Sequence, residues 1–175
     1  MMGIMRKTGL RDVLFASILA FLALPAAAAS DDAGTGLPVP RFVSLKADKV
    51  NVRNGPNKDQ DVSWIFSRAG LPVEITAEFE TWRRIRDSEG AEGWVYHSLL
   101  SGRRTALVAP WVKTGTVALR EKANAEAAVT ARLEHGVLGT LKICDGQWCR
   151  FTGPGFDGFV EQSQLWGVYP GEKVD

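Results

Sequence analysis

The sequence predicts an all-β protein made of two small β-barrels in tandem, and two observations support this. First, the chain repeats itself at an offset of about 66 residues, which indicates one fold used twice. The segments VNVRNGP, GLPVEI, WRRI and GWV, beginning at Val50, Gly70, Trp82 and Gly93, return as VALREKA, GVLGTL, WCRF and GFV, beginning at Val117, Gly136, Trp148 and Gly158. Second, apolar residues alternate with polar ones in short runs separated by Gly, Pro, Ser and Asp, a pattern typical of strands in a small barrel.

The N-terminal segment has the pattern of a secretory signal peptide. Cations at Arg6, Lys7 and Arg11 precede an apolar run over residues 13–24, and alanines up to Ala29 follow it. We therefore predict cleavage after Ala29 and a secreted or periplasmic protein. A membrane anchor is the alternative, but the run has about 12 residues and a span needs roughly 20, so no membrane insertion is expected after cleavage.

Charge and length limit the classes of function. Removing residues 1–29 takes three cations and Asp12 from 21 basic and 20 acidic residues, which leaves 18 and 19 and a formal charge of −1. No net positive field favours nucleic acid or anionic lipid, so neither is predicted as a partner. A barrel of roughly 60 residues is marginally stable alone, and we therefore expect the two units to pack together.

The elements follow in a regular order along the mature chain. Val50 and Val52, then Val73 and Ile75, occupy alternate positions of half-buried strands, and an Asp-Gly pair at Asp145 marks a hairpin turn in the second copy. An alanine-rich stretch in the second copy is read as a loop followed by a strand. The predicted organisation is a signal peptide (1–29), a flexible leader (30–40), a first barrel (41–101), a short linker (102–112), a second barrel (113–169) and a C-terminal tail (170–175).

The two cysteines flank this Asp-Gly turn. Cys144 and Cys149 are five residues apart, and a tight hairpin brings the α-carbons of such a pair to the distance that a disulfide needs. Export would permit oxidation, so we predict a Cys144–Cys149 disulfide. Two unpaired thiols remain the alternative, because strand alternation can place the side chains on different faces.

The motifs of the first copy resemble the bacterial SH3 domain. VNVRNGP, the Val-x-Ile strand, the Trp-led strand and GWV followed by Leu99 and Leu100 match this family along nearly the whole copy, and RAGLPVEI, WRRIRD and LLSGRRTALV are similar to an envelope subfamily common in alphaproteobacteria. The second copy is degraded, since the Asn-x-Arg-x-Gly-Pro signature keeps little beyond Arg120. The resemblance implies two SH3-like five-stranded barrels with a shallow groove that binds cell-wall peptide or protein partners, and it implies no chemistry by itself.

The sequence offers little material for catalysis. It has two histidines, His97 and His135, at unmatched positions of the two copies, and neither lies near the cysteines along the chain. We therefore predict no catalytic residues, no metal site, no cofactor and no enzymatic activity.

Aromatic residues provide the candidate binding site. Trp64, Trp82 and Tyr96 lie in the better-matched copy, and Arg84 should share the outer face with Trp82 because Ile85 faces inward. We predict that these four residues line a groove in which Arg84 meets a ligand carboxylate. In the alternative, the second unit or a loop covers the rings. Trp94 is expected in the core, as its counterpart Phe159 suggests.

The sequence thus predicts an exported, non-catalytic binding or scaffold protein of the cell envelope that recognises peptidoglycan or an envelope protein. One alternative is an accessory subunit of a cell-wall hydrolase whose catalytic part lies on another chain. Another is a purely structural protein in which the two barrels bury each other's grooves.

Overall fold

A computed structural model of the protein describes residues 34–175, so the predicted signal peptide and the start of the leader lie outside the described residues. Within that range the chain forms β-strands and two short 3-10 turns and contains no α-helix. No helix in the described part is long and apolar enough to cross a membrane.

The first barrel is a sheet of seven antiparallel strands. Along the sheet they are arranged β3-β2-β6-β5-β4-β1-β7, and a 3-10 turn at His97–Leu99 connects the last two strands in sequence. The strands are β1 (Arg41–Leu45), β2 (Val50–Arg53), β3 (Val62–Phe66), β4 (Pro72–Phe79), β5 (Trp82–Arg86), β6 (Glu92–Tyr96) and β7 (Leu100–Ser101).

The second barrel repeats this arrangement strand for strand. Its order is β10-β9-β13-β12-β11-β8-β14, with β15 added beside β11. The strands are β8 (Thr105–Val108), β9 (Thr116–Arg120), β10 (Val129–Glu134), β11 (Leu138–Asp145), β12 (Trp148–Gly153), β13 (Phe156–Glu161), β14 (Leu165–Trp166) and β15 (Lys173–Val174). Even the irregularities match, because the register shifts at Ile75/Ala77 and again at Leu141/Ile143. The predicted fold class, two small β-barrels in tandem, is confirmed, but the sheets have seven and eight strands where the resemblance implied five.

Each barrel encloses its own hydrophobic core. The alternating apolar residues of the strands point inward, as the sequence pattern predicts. The first core is built around Val50, Val52 and Ile85, and the second around Leu119 and Phe151. Trp94 and Phe159 belong to neither core and are half-buried on the outside, so the expectation that they are core residues was wrong. Their neighbours Val95 and Val160 take the inward positions because side chains alternate along a strand.

Three segments outside the two predicted barrels take part in the fold. Residues 105–108 of the predicted linker form strand β8, whose four residues are buried in the second sheet. Residues 173–174 of the tail form β15, which pairs with β11. In the leader, Thr35 donates a hydrogen bond from its backbone N–H to Glu78 at 2.6 Å. All four residues of β8 are buried and β15 has only two residues, so neither strand shows the alternation by which a sequence reveals a strand.

The two barrels pack against each other, as expected from their size. Phe42 of β1 meets Trp166 edge-to-face at 5.1 Å between ring centroids and lies 4.7 Å from the ring of Tyr169. The hydroxyl of Thr105 donates to the backbone oxygen of Gly70 at 2.7 Å. These contacts form the surface between the two barrels, here called the seam, which combines aromatic packing with hydrogen bonds.

A carboxylate of the first barrel is central to this seam. Glu74 accepts a hydrogen bond from the Tyr169 hydroxyl at 2.7 Å and another from Arg86 Nε at 2.8 Å. Burial of the phenol, followed by its hydrogen bond to this carboxylate, raises the pKa of Tyr169 above its ordinary value. The hydroxyl therefore keeps its proton at neutral pH and acts as the donor.

The hairpins β4–β5 and β11–β12 are held together in different ways. In the second barrel Cys144 and Cys149 face each other across the hairpin and form a disulfide, so this prediction is confirmed. In the first barrel the corresponding residues are Glu78 and Arg83, an ion pair at 3.1 Å. Glu78 also pairs with Arg41 of β1, and its side chain is only 7% exposed. The first barrel thus has a buried ionic cluster where the second has a covalent bond.

Candidate functional site

Two of the four predicted binding residues meet on the outer face of the first barrel. Trp82 on β5 lies directly opposite Tyr96 on β6, and the rings pack edge-to-face with centroids 5.5 Å apart. Trp82 is almost fully buried, with 7% of its surface exposed, whereas Tyr96 is only half-buried. The tyrosine therefore offers more of its ring to a ligand, and the tryptophan supports it from beneath.

Trp64 lies elsewhere. It packs against the first core and Phe66, and its indole approaches Gly93 so closely that a Cβ there would lie 3.2 Å from the ring. Gly93 is three register positions from Tyr96 on β6, about 10 Å along the strand. The structure does not bring Trp64 into one groove with Trp82 and Tyr96.

Arg84 shares the outer face with Trp82 but is engaged by another residue. Its guanidinium pairs with Glu92 on the neighbouring strand at 2.5 Å, and both side chains are partly exposed. An exposed pair of this kind contributes little to stability, so a ligand carboxylate would have to compete with Glu92 for Arg84 at a modest cost.

Trp82 and Tyr96 line a shallow groove of about 290 Å³ together with residues that the sequence reasoning missed. Arg53 and Lys58 bring two cations to this groove, and Asn51 also lines it. The Lys58 ammonium is 5.9 Å from the centre of the Tyr96 ring, within range of a cation–π interaction. The groove therefore combines an aromatic wall with positive charge.

Arg53 is the arginine of the repeated motif, and the duplication reveals its role. Its Nη1 donates to the backbone oxygen of Gln60 at 2.6 Å, and Arg120 donates in the same way to Ala127 at 2.8 Å. Each arginine thus ties down the loop that follows its strand. Because both copies keep this contact, the arginine is first of all part of the scaffold, and its remaining N–H groups are available to the groove.

The second barrel has an equivalent groove with different chemistry. It measures about 250 Å³ and is lined by Arg120, Trp148, Glu161 and Gln164, among others. Trp148 lies opposite Glu161 just as Trp82 lies opposite Tyr96. A carboxylate thus replaces the tyrosine ring. At an offset of 67 residues, matching that of the arginines, Ala125 stands where the first copy has Lys58.

Comparison with known proteins agrees with the duplicated fold. The family model described as bacterial SH3 domain matches residues 46–102 and again residues 113–167. The chain therefore belongs to the bacterial SH3 domain family and carries two copies in tandem.

Two solved structures are similar to this chain, NlpC1 and NlpC2 from Trichomonas vaginalis. The first is 13% identical with a TM-score of 0.34, and the match covers 77% of this chain and 48% of that one. The second is 12% identical with a TM-score of 0.34, covering 74% and 49%. The chain thus spans about half the length of these proteins. No curated protein matches the chain significantly.

Proposed function

We propose that the protein is an exported, non-catalytic binding protein of the cell envelope, and that the groove of the first barrel recognises a carboxylate-bearing peptide of peptidoglycan or of an envelope protein. Membership of the bacterial SH3 domain family supports a binding role associated with the cell wall. The disulfide is of a kind that persists in oxidising compartments outside the cytosol.

The observation that carries the proposal is the difference between the two equivalent grooves. Residues common to both copies, such as Arg53 and Arg120, serve the scaffold. Lys58 and Tyr96 have no equivalent chemistry in the second copy, which has Ala125 and Glu161 instead. A feature present in one copy alone is not required by the fold, and this favours a role in binding.

The charges of the first groove indicate the class of ligand. Arg53 and Lys58 face the aromatic pair, and no carboxylate lines this groove within the described residues. A cation beside an aromatic wall suits a peptide carboxylate next to an apolar group. The groove is also separate from the seam, because the barrels meet through Phe42, Trp166 and Tyr169. This separation supports a binding role over a purely structural one in which the barrels bury each other's grooves.

The test is retention of the purified mature protein on isolated peptidoglycan and, in parallel, on immobilised envelope proteins. We expect Lys58→Ala and Tyr96→Ala to weaken retention on one of these materials about tenfold, because each removes a contact to the ligand. Lys58 is exposed and Tyr96 is only half-buried, so the fold should survive both substitutions. Trp82→Ala is a poorer test since truncating a buried ring leaves a cavity.

Lys49→Ala is the matched control, because Lys49 is an exposed lysine of the same barrel outside the groove. It should bind as the wild type does, and circular dichroism should show all variants folded. Equal retention of all variants on both materials would contradict the proposal. Release of muropeptides by the purified protein alone would contradict its non-catalytic part.

A further inference from the structure

A large cavity lies between the two barrels, separate from the first groove. It measures about 730 Å³, a volume typical of ligand sites. Phe42 lines it from the first barrel, and Trp148, Trp166 and Tyr169 line it from the second. Trp111, on the loop between β8 and β9 of the second barrel, also lines this cleft, with 55% of its surface exposed. Its indole adds to the aromatic lining of the cleft.

The cleft borders the groove of the second barrel. Trp148 and Glu161 line both cavities, so these two residues lie between them. The cleft alone has room for several side chains of a ligand.

The charges of the cleft leave one carboxylate uncompensated. Glu74 is neutralised by Arg86 and also accepts the Tyr169 hydroxyl. Arg120 lines the groove of the second barrel but not the cleft. Glu161 is exposed, and no cation of the described residues lies within salt-bridge distance of it. A bound group beside Glu161 is therefore favoured if it is positively charged.

We propose that the cleft between the barrels binds a peptide segment with apolar side chains and a lysine or arginine that pairs with Glu161. The aromatic walls of the cleft take the apolar side chains, and Glu161 at its edge accepts the cation. This site differs from the first groove in place and in sign of charge. The protein would then hold an acidic and a basic partner segment at the same time, one in the first groove and one in the cleft.

A charge-matched binding experiment tests this inference. Peptides are selected from a random octapeptide library on the mature wild-type protein, and the selected sequences are synthesised and measured by fluorescence anisotropy. We expect a class of peptides that combines apolar residues with lysine or arginine. Their affinity should fall about tenfold on Glu161→Gln and should be unchanged on Lys58→Gln. Glu121→Gln, which alters an exposed carboxylate outside the site, should also leave it unchanged.

A double-mutant cycle then locates the contact. Replacing the peptide cation by glutamine should cost the wild type about tenfold and should cost Glu161→Gln almost nothing further. Failure to select basic peptides, or equal affinity for wild type and Glu161→Gln, would overturn the inference. Selection of acidic peptides alone, dependent on Lys58, would overturn it and leave the proposed function of the first groove standing. A dimer in sedimentation that Trp111→Asp dissociates would assign the cleft to a second copy and would also overturn it.

Discussion

On β4 and β5 of the first barrel, Glu78 lies opposite Arg83, and at the corresponding positions of the second barrel Cys144 lies opposite Cys149. The two hairpins share their turn position and their bulge, yet one is linked by charges and the other by a covalent bond. The same cross-strand position of this fold therefore accepts two different chemistries. The ionic version also recruits Arg41, which ties β1 to the same hairpin.

The grooves differ in the same way. Both rest on a tryptophan at the start of the fifth strand and on the arginine that secures the neighbouring loop. Above this common base, the first groove carries Lys58 and Tyr96 and the second carries Glu161. The two copies therefore serve as controls for each other. Residues that both copies keep belong to the scaffold, and residues that differ between the grooves are candidates for ligand specificity.

The largest effect is expected from removing the carboxylate of the ionic cluster. Glu78→Ala leaves Arg83, whose side chain is 6% exposed, without its counter-charge. An uncompensated buried charge costs about 3–5 kcal/mol, and we expect about 3 because Arg83 keeps hydrogen bonds to the backbone oxygens of Glu80 and Trp82. The measurement is the free energy of unfolding in urea, followed by tryptophan fluorescence.

The matched control for this variant is an exposed ion pair on the second barrel. Arg150 and Asp157 pair at 2.8 Å with both side chains half exposed. Asp157→Ala should leave the free energy of unfolding almost unchanged, because solvent screens such a pair. Equal losses for Asp157→Ala and Glu78→Ala would show that burial of the cluster does not matter.

The second effect concerns the covalent link. The Cys144–Cys149 bond closes a short loop, and in the chain-entropy description a loop of this length stabilises by about 2 kcal/mol. Replacing both cysteines by alanine should lower the free energy of unfolding by about this amount. Dithiothreitol should bring the wild type to the level of the alanine variant and leave that variant unaffected. A reductant effect on the variant, or none on the wild type, would contradict this account.

Much of the fold could be predicted because its signals are local. Alternation along Val50 and Val52 identifies a strand within four residues, and the spacing of Cys144 and Cys149 across an Asp-Gly turn predicts the disulfide. The repeat extended the strand assignment to the other copy. The packing of the two barrels could also be expected, because a unit of this size is marginally stable alone.

The candidate site was less predictable because it depends on which strands are neighbours. Trp64, Trp82 and Tyr96 look alike in sequence, but the sheet order places Trp64 against the core at a distance from the other two. Lys58 reaches the groove from a loop, which no periodic pattern marks. An alignment of the two copies would have revealed Lys58, because Ala125 occupies the equivalent position in the second copy.

The ionic cluster was likewise invisible in the sequence. Arg41, Glu78 and Arg83 come from three strands, and charged residues are usually exposed, so nothing local identifies them as buried partners. Their counterparts Cys144 and Cys149 were visible because the chemistry of cysteine restricts how it is used. Equivalent positions can therefore differ greatly in how well a sequence reveals them.

The smallest expected effect is a pH-dependent loss of stability that arises in the first hairpin and not in the second. Burial acts to raise the pKa of Glu78, but hydrogen bonds from Arg41 and Thr35 outweigh it and lower the pKa from 4.5 to about 2. Because the pKa is lower in the folded state, the stabilisation is fully present above pH 4.5 and is lost as the pH falls towards 2. Since solvent screens part of the cluster, we expect a loss of about 1–2 kcal/mol over this range.

Comparison with Glu78→Gln isolates this contribution, because other carboxylates such as Asp145 and Glu172 also have lowered pKa values. The variant cannot titrate at position 78, so its free energy of unfolding should approach that of the wild type as the pH falls from 4.5 to 2. The alanine variant of Cys144 and Cys149 should instead keep a constant difference from the wild type, since a disulfide does not titrate. Parallel pH curves for wild type and Glu78→Gln would mean that Glu78 does not supply the charge that holds the first hairpin.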